Sequence, residues 1–222
     1  MNSFNGTLVL LVILVIIWIV TILARRSRTR KLEQLLAQQE FGAFYKLLGA
    51  ISTRLLYPEY VLTSMNIDAL MLQGDDEQAA KLFDRLLRRK TGRKQRMGLV
   101  LKAFNFYVGT DDTKRSRELL AEIEDWGQQF DPIKYDCRRL YDVLVAGKTN
   151  HIEEMEQELD SADSLQRGRL EYLLAVQYEH AGDTAKRDDY LARAKQDSGV
   201  PDNMVPTMDS DASTKSRPSY DR

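Results

Sequence analysis

The sequence predicts an all-α protein: a single N-terminal transmembrane helix followed by an α-solenoid of about four to five helix pairs. Three observations carry this. Leu8 to Ala24 is a run of seventeen residues with no charge and one polar member, Thr21. Glycines recur at Gly74, Gly109, Gly147 and Gly182, spaced 35, 38 and 35 residues apart, each between two apolar patterns of helical period. No segment sustains the period-two alternation, rich in β-branched residues, that a half-buried strand requires.

At 1.5 Å rise per residue the apolar run makes a helix about 26 Å long, a little short of a hydrocarbon core of about 30 Å. Gly6, Thr7 and slight bilayer thinning cover the difference. No residue before the run is charged, whereas five of the seven after it are basic: Arg25, Arg26, Arg28, Arg30 and Lys31. The positive-inside rule keeps these on the cytoplasmic side and leaves only Met1 to Gly6 outside. A cleaved secretory signal would carry its charges ahead of a shorter core and end at a small-residue cleavage site. Here the charges come after the run, and Ala24 leads straight into arginines. The expectation is a single-pass membrane protein with its N-terminus outside and the remainder cytoplasmic.

The chain divides into residues 1–24 (external N-terminus and transmembrane helix), 25–57 (basic juxtamembrane helix and partial first repeat), 58–196 (helical repeats) and 197–222. The last segment carries Pro201, Pro206 and Pro218 among Ser, Asp and Thr, and reads as a disordered tail. Lys and Arg number 32 against 33 Asp and Glu, so overall charge points to no polyanionic partner. The single cysteine, Cys137, cannot close an internal disulfide or build a zinc site, which fits a reducing compartment.

Each glycine supplies a left-handed residue that ends one helix, and the Asp, Thr or Asn after it caps the next. The corners read Gly74-Asp75-Asp76, Gly109-Thr110-Asp111, Gly147-Lys148-Thr149 and Gly182-Asp183-Thr184. First helices are expected near Pro58–Gln73, Lys94–Val108, Pro132–Ala146 and Ser164–Ala181. Second helices are expected near Glu77–Arg89, Thr113–Gly127, His151–Asp160 and Ala185–Gln196. Pro58 and Pro132 stand where repeats start, because proline suits a first helical turn. One period before Gly74, Gln39-Glu40-Phe41 precedes Ala43, Phe44, Leu47 and Leu48, so a zeroth repeat begins within the juxtamembrane helix.

On these residues the chain resembles the tetratricopeptide repeat family. The last unit carries the likeness best, with Leu174-Ala175-Val176-Gln177-Tyr178, then Gly182-Asp183, then Leu191 and Ala194. Leu174, Tyr178 and Leu191 are expected in its core. Gly74 to Ala80, with Phe83 and Leu86, matches the second-helix half of a unit. The middle units keep little beyond their glycines, with Asn105 and Val143 in the place of Tyr178. The resemblance covers about Gln39 to Gln196. It implies a right-handed stack whose concave surface, lined by first helices, binds peptides or protein segments.

The family's carboxylate clamp does not carry over. Lys134 and Arg138 fall at its third-helix positions, but Ser64, Asp68 and Val100 occupy the others. One span leading into cytoplasmic repeats is similar to lipopolysaccharide-assembly proteins of Gram-negative bacteria, although their cysteine-rich metal module has no counterpart here. Mitochondrial outer-membrane import receptors share the same order of parts. A bacterial inner membrane is the favoured setting and a mitochondrial outer membrane the alternative.

Gly147-Lys148-Thr149 looks like the end of a phosphate loop, but Asp142 stands where that loop needs glycine and a helix precedes it. His151 and His180 flank interhelix turns without a partner at a diagnostic spacing. Cys137, beside Arg138 and Arg139, would have a lowered thiol pKa if exposed and is otherwise a small core residue. No nucleophile–base–orienter set is visible, so no enzyme activity, cofactor or metal is expected.

Two charge clusters stand out. Arg85, Arg88, Arg89, Lys90, Arg93, Lys94 and Arg96 crowd the junction of the first two full repeats, with Asp84 as acidic company. Glu153, Glu154, Glu156, Glu158, Asp160 and Asp163 form the opposite cluster. Such runs are commonly solvated faces; the basic one also suits a protein partner or anionic headgroups. Nucleic acid is disfavoured by the near-neutral charge and the lack of interleaved aromatics. The expected function is a membrane-anchored adaptor that binds a protein partner through its concave surface. The alternative is a regulator engaging anionic lipid or nucleic acid through residues 85–96.

Overall fold

A computed structural model describes residues 2–198, with side chains from Leu14 to Asp197. Within them the chain is all-helical and contains no strand. The helices are α1 (Asn2–Ala37), α2 (Phe41–Gly49), α3 (Ile51–Leu56), α4 (Glu59–Gln73), α5 (Asp76–Leu87) and α6 (Arg93–Gly109). They continue with α7 (Thr113–Glu124), α8 (Asp131–Leu144), α9 (Ile152–Leu159), α10 (Ser164–His180) and α11 (Thr184–Ser198). All eight helices expected for the repeats are present, with ends moved by three residues at most.

The corners share one local design. After α4, Gly74 is left-handed (φ 70°), its N–H donates to Met71 O, and Asp75 N–H reaches back to Leu70 O. The same pair of bonds recurs at Gly182 (φ 79°), with Asp183 N–H donating to Tyr178 O. This Schellman closure satisfies carbonyls left over at the helix end. The next residue then caps the following helix: Asp75 accepts from Gln78 N–H, Asp112 from Arg115 N–H and Asp183 from Lys186 N–H. Such a cap contributes about 1 kcal/mol.

Gly109 departs from expectation. It is the last residue of α6, and the left-handed residue of that corner is Asp111 (φ 57°), whose short polar side chain tolerates the conformation. Gln39 (φ 56°) makes the corner after α1. The left-handed residues thus fall at 39, 74, 111, 147 and 182, spaced 35, 37, 36 and 35 residues apart. This period is more even than that of the glycines. At Gly147 (φ 64°) the corner is wider, and the residue before α9 is His151, which makes no side-chain cap.

The fold separates into two compact units that divide between Leu99 and Val100, inside the stretch 58–196 read as one repeat domain. In the first, the C-terminal turns of α1 place Leu32 and Leu35 against Phe44 and Leu48 of α2 and Ala69 of α4. In the second, Val143 of α8, Met155 of α9, Leu173 and Leu174 of α10 and Tyr190 of α11 share one core. Helix α10 is buried on several faces because α8, α9 and α11 all pack on it. The side chains inside are Leu174, Tyr178 and Tyr190, with Leu191 at the margin, so α11 is turned one residue from expectation.

Two expectations about the ends change. Among the described residues no helix is long and apolar enough to cross a membrane. Only Leu14 to Ala24 of the predicted span falls among the described side chains, about 16 Å of helix, and Leu8 to Ile13 lie outside them. At the other end Asp197 and Ser198 belong to α11, and the Asp197 carbonyl accepts a hydrogen bond from Ser164 Oγ at 2.8 Å. The rest of the expected tail lies outside the described residues.

Candidate interaction surfaces

The first surface is the N-terminal part of α1. Nine large apolar side chains between Leu14 and Leu23 are 43% to 65% exposed. The one polar residue among them, Thr21, satisfies its hydroxyl within the helix by donating to Ile17 O at 2.8 Å. Arg25, Arg26, Arg30 and Lys31 come next, all exposed, apart from the half-buried Arg28, which donates to Ser52 Oγ at 3.2 Å, and Arg30 and Lys31 continue toward the first core. Apolar length and cationic flank therefore meet on one continuous helix.

The second surface is the basic junction between α5 and α6. Arg89 grips the Glu59 carboxylate with two nitrogens at 3.0 Å, and this holds the Glu59 carboxyl below its usual range. Arg96 is half-buried and donates to Leu87 O, closing the turn between the two helices. Arg88 spends its Nε on Asp84 O at 3.2 Å. Arg85, Lys90, Arg93 and Lys94 form no ion pair among the described residues.

The third surface lies in the second unit, between α8 and α10. Tyr135, Asp136 and Arg139 of α8 face Gln166, Arg169 and Leu170 of α10 across a cleft of about 290 Å³. Arg139 braces its floor, bridging to Glu158 of α9 at 2.7 Å and Asp136 at 3.5 Å, with its guanidinium 5.4 Å from the Tyr135 ring centre. Burial and the hydrogen bond to Glu154 push the Tyr135 hydroxyl up to about 12, and that bond holds Glu154 low. Gln166 and Arg169 are exposed and available to a ligand.

The acidic cluster is largely consumed inside this unit. Glu158 holds Arg139, and Glu154 accepts from Tyr135. Glu156 accepts from Tyr178 OH at 2.7 Å and Tyr190 OH at 3.0 Å, whose rings stack with centres 5.6 Å apart. Lys186 completes the set by donating to Tyr178 OH at 2.9 Å. Asp163 caps α10 through Gln166 N–H. Two tyrosines, a glutamate and a lysine from α9, α10 and α11 thus form a closed lock, and no single segment of sequence revealed it.

The remaining candidates take structural places. Cys137 is buried, and desolvation raises its thiol to about 11, so the adjacent arginines activate nothing. Lys148 sits in an interhelix turn and bonds Asp142 Oδ1 at 3.0 Å. His151 is buried between Asp142 and Glu154, each 3.6 Å from a ring nitrogen, and its backbone N–H donates to the buried Gln177 side chain at 3.0 Å. The Glu154 contact has the helical i, i+3 spacing visible in sequence; Asp142 does not. His180 is exposed beside Gly147. Of the clamp positions, Val100 is fully buried and Lys134 pairs with Asp131 at 2.8 Å. Among the described residues no cluster of His, Cys, Asp and Glu is placed to hold a metal ion.

No protein-family model, curated protein or solved structure matches the chain.

Proposed function

We propose that the chain is a membrane-anchored cytoplasmic adaptor of tetratricopeptide-like architecture, held by the apolar part of α1 and engaging a protein partner at the cleft between α8 and α10. The observation that carries this reading is α1 itself. One uninterrupted helix leaves nine large apolar side chains uncovered and then buries Leu32 and Leu35 in a packed core. Such a surface is unfavourable in water and favourable in lipid. With Leu8 to Ile13 ahead of it, the run counts seventeen residues, the lower end of the length that spans a bilayer with slight thinning. The cations after Ala24 favour a cytoplasmic location for the helices beyond them. The bacterial inner membrane remains the preferred setting and the mitochondrial outer membrane the alternative.

The corner period near 36 residues and the cleft between successive first helices support the repeat reading. Tyr135, Gln166 and Arg169 offer an aromatic face, an amide and a guanidinium, a set suited to an extended peptide with an acidic or amide-rich side chain. Two measurements test the proposal. Protease added to sealed cells should leave a C-terminal tag intact, and digestion of the tag without lysis would overturn the orientation. Affinity purification from native membranes should recover a partner that Arg169→Glu loses; recovery unchanged by this surface substitution would exclude the cleft.

The basic junction supports a second reading, engagement of an anionic ligand, because Lys90, Arg93 and Lys94 form no ion pair among the described residues and Arg85 meets the Glu59 carboxylate only through space. Charge reversal of Arg85, Lys90, Arg93 and Lys94 should then weaken binding to anionic vesicles in low salt, with less difference at high salt. Equal binding by the two proteins would dismiss it.

A further inference from the structure

We propose that α3 is a membrane-interface foot, with Ile51 and Leu55 seated in the headgroup layer of an anionic bilayer; this rests on the reading of α1 as a membrane anchor. Ile51 and Leu55 are the most exposed large hydrophobic side chains described, at 79% and 82%. Four residues apart on one helix, they share a face. The opposite face is fixed inward, since Thr53 is fully buried and its hydroxyl donates to Leu47 O at 2.7 Å. The outward direction of the apolar pair is therefore set by the fold.

The place where α3 is fastened says what covers that pair. Tyr57, just past its end, donates its hydroxyl to Arg25 O at 2.7 Å and lies 2.7 Å from Thr29 Oγ1. Near its start, Ser52 Oγ receives the Arg28 guanidinium at 3.2 Å. All three attachments fall within five residues of Ala24, the last apolar residue of the run. At 1.5 Å per residue they lie about 2–8 Å beyond the hydrocarbon boundary. The headgroup region on each side of a bilayer is about 5–8 Å deep. Helix α3 is thus held at headgroup level.

The rim of the patch has matching chemistry. Arg54 lies between Ile51 and Leu55 in sequence and is exposed, and Arg25 and Arg26 are exposed beside the attachment points. None of the three forms an ion pair among the described residues. Helix α3 carries no acidic residue. Apolar side chains flanked by unpaired cations are the composition of an interfacial segment on an anionic surface.

The test uses the full chain reconstituted in vesicles of phosphatidylethanolamine and phosphatidylglycerol. Cys137→Ala and Leu55→Cys allow one polarity-sensitive fluorophore at position 55, and Trp126→Phe leaves Trp18 as the only tryptophan. The expected result is blue-shifted emission at position 55, quenched more by lipid spin-labelled near the headgroup than deep in the chain, while Trp18 is quenched by the deep label. Quenched Trp18 with water-like, iodide-accessible emission at position 55 would refute the foot and leave the anchor standing. Emission shielded from iodide yet unquenched by either lipid label would mean that protein covers the patch, which also refutes it. If Trp18 is unquenched as well, the anchor reading fails and the foot falls with it.

Discussion

Leu174→Ala probes the core of the second unit where the structure makes the strongest demand. The side chain is fully buried, in one cluster with Val143, Met155, Leu173 and Tyr190. The substitution removes three carbons, a loss of about 2.4 kcal/mol at roughly 0.8 kcal/mol for each. The cavity left behind adds about 24 cal/mol for each Å³ that fails to collapse. Helix α10 is fastened on several sides by α8, α9 and α11, so collapse is restricted and the total should reach about 3–4 kcal/mol. At about 2–4 °C for each kcal/mol, Tm should fall by roughly 6–16 °C. Helical circular dichroism of the full chain in detergent reads this directly. Leu165→Ala is the internal control: the side chain is on the same helix but 73% exposed, and its removal should move Tm by little. An unchanged melt for Leu174→Ala, or equal losses for both, would mean that α10 is rotated relative to the arrangement described.

Three further outcomes are expected. Gly182→Ala should destabilise the fold by about 1–2 kcal/mol, because its left-handed backbone strains any Cβ, whereas Gly109→Ala should be neutral or stabilising by up to about 1 kcal/mol; denaturant midpoints decide. Cys137 should resist alkylation at neutral pH until the chain unfolds, since its thiol is buried and raised to about 11; rapid modification of native protein would contradict this. The tyrosine lock should show in the pH profile. Burial, then the bond to Glu156, raises Tyr190 to about 12, so its contribution is complete below its ordinary value of 10.0 and is lost as pH rises from there toward 12. The Tyr178 bond lowers Glu156, whose contribution is present above 4.5 and lost as pH falls below it. Tyr190→Phe should flatten the alkaline limb of stability measured by urea midpoints, and an unaltered limb would refute the assignment.

Much of the architecture was legible because its corners are chemical. Glycine next to Asp signals an αL residue and a cap, and two corners keep both parts. The second corner misled because Asp111 adopts the αL conformation in place of a glycine, two residues beyond Gly109. Helix α3 escaped because six residues are too few to show a period, and because its apolar residues point outward, against the usual burial rule. The phase of α11 was read from Leu191 as the apolar residue. Tyr190 went inside because its ring stacks on Tyr178 while its hydroxyl still finds Glu156. Helices α8 and α10, which line the cleft, were both expected from the sequence, but the bracing of that cleft by Arg139 and Glu158 joins residues 19 apart on different helices, a pairing no local pattern encodes.

From Leu8 to Ala37 helix α1 contains neither glycine nor proline, so nothing in its sequence provides a swivel between Trp18 and the buried Leu32. The bearing that the first unit takes around the axis of α1 is therefore indexed by residue count. One residue inserted after Ala24 would turn that unit by about 100° and lift it about 1.5 Å; four would restore it to within about 40° while lifting it about 6 Å. Direction about the α1 axis and displacement along it are thus separately addressable through the length of a single helix. For the proposed anchored adaptor, a helix insertion series would reveal whether binding requires the first unit to face one way or only to be near.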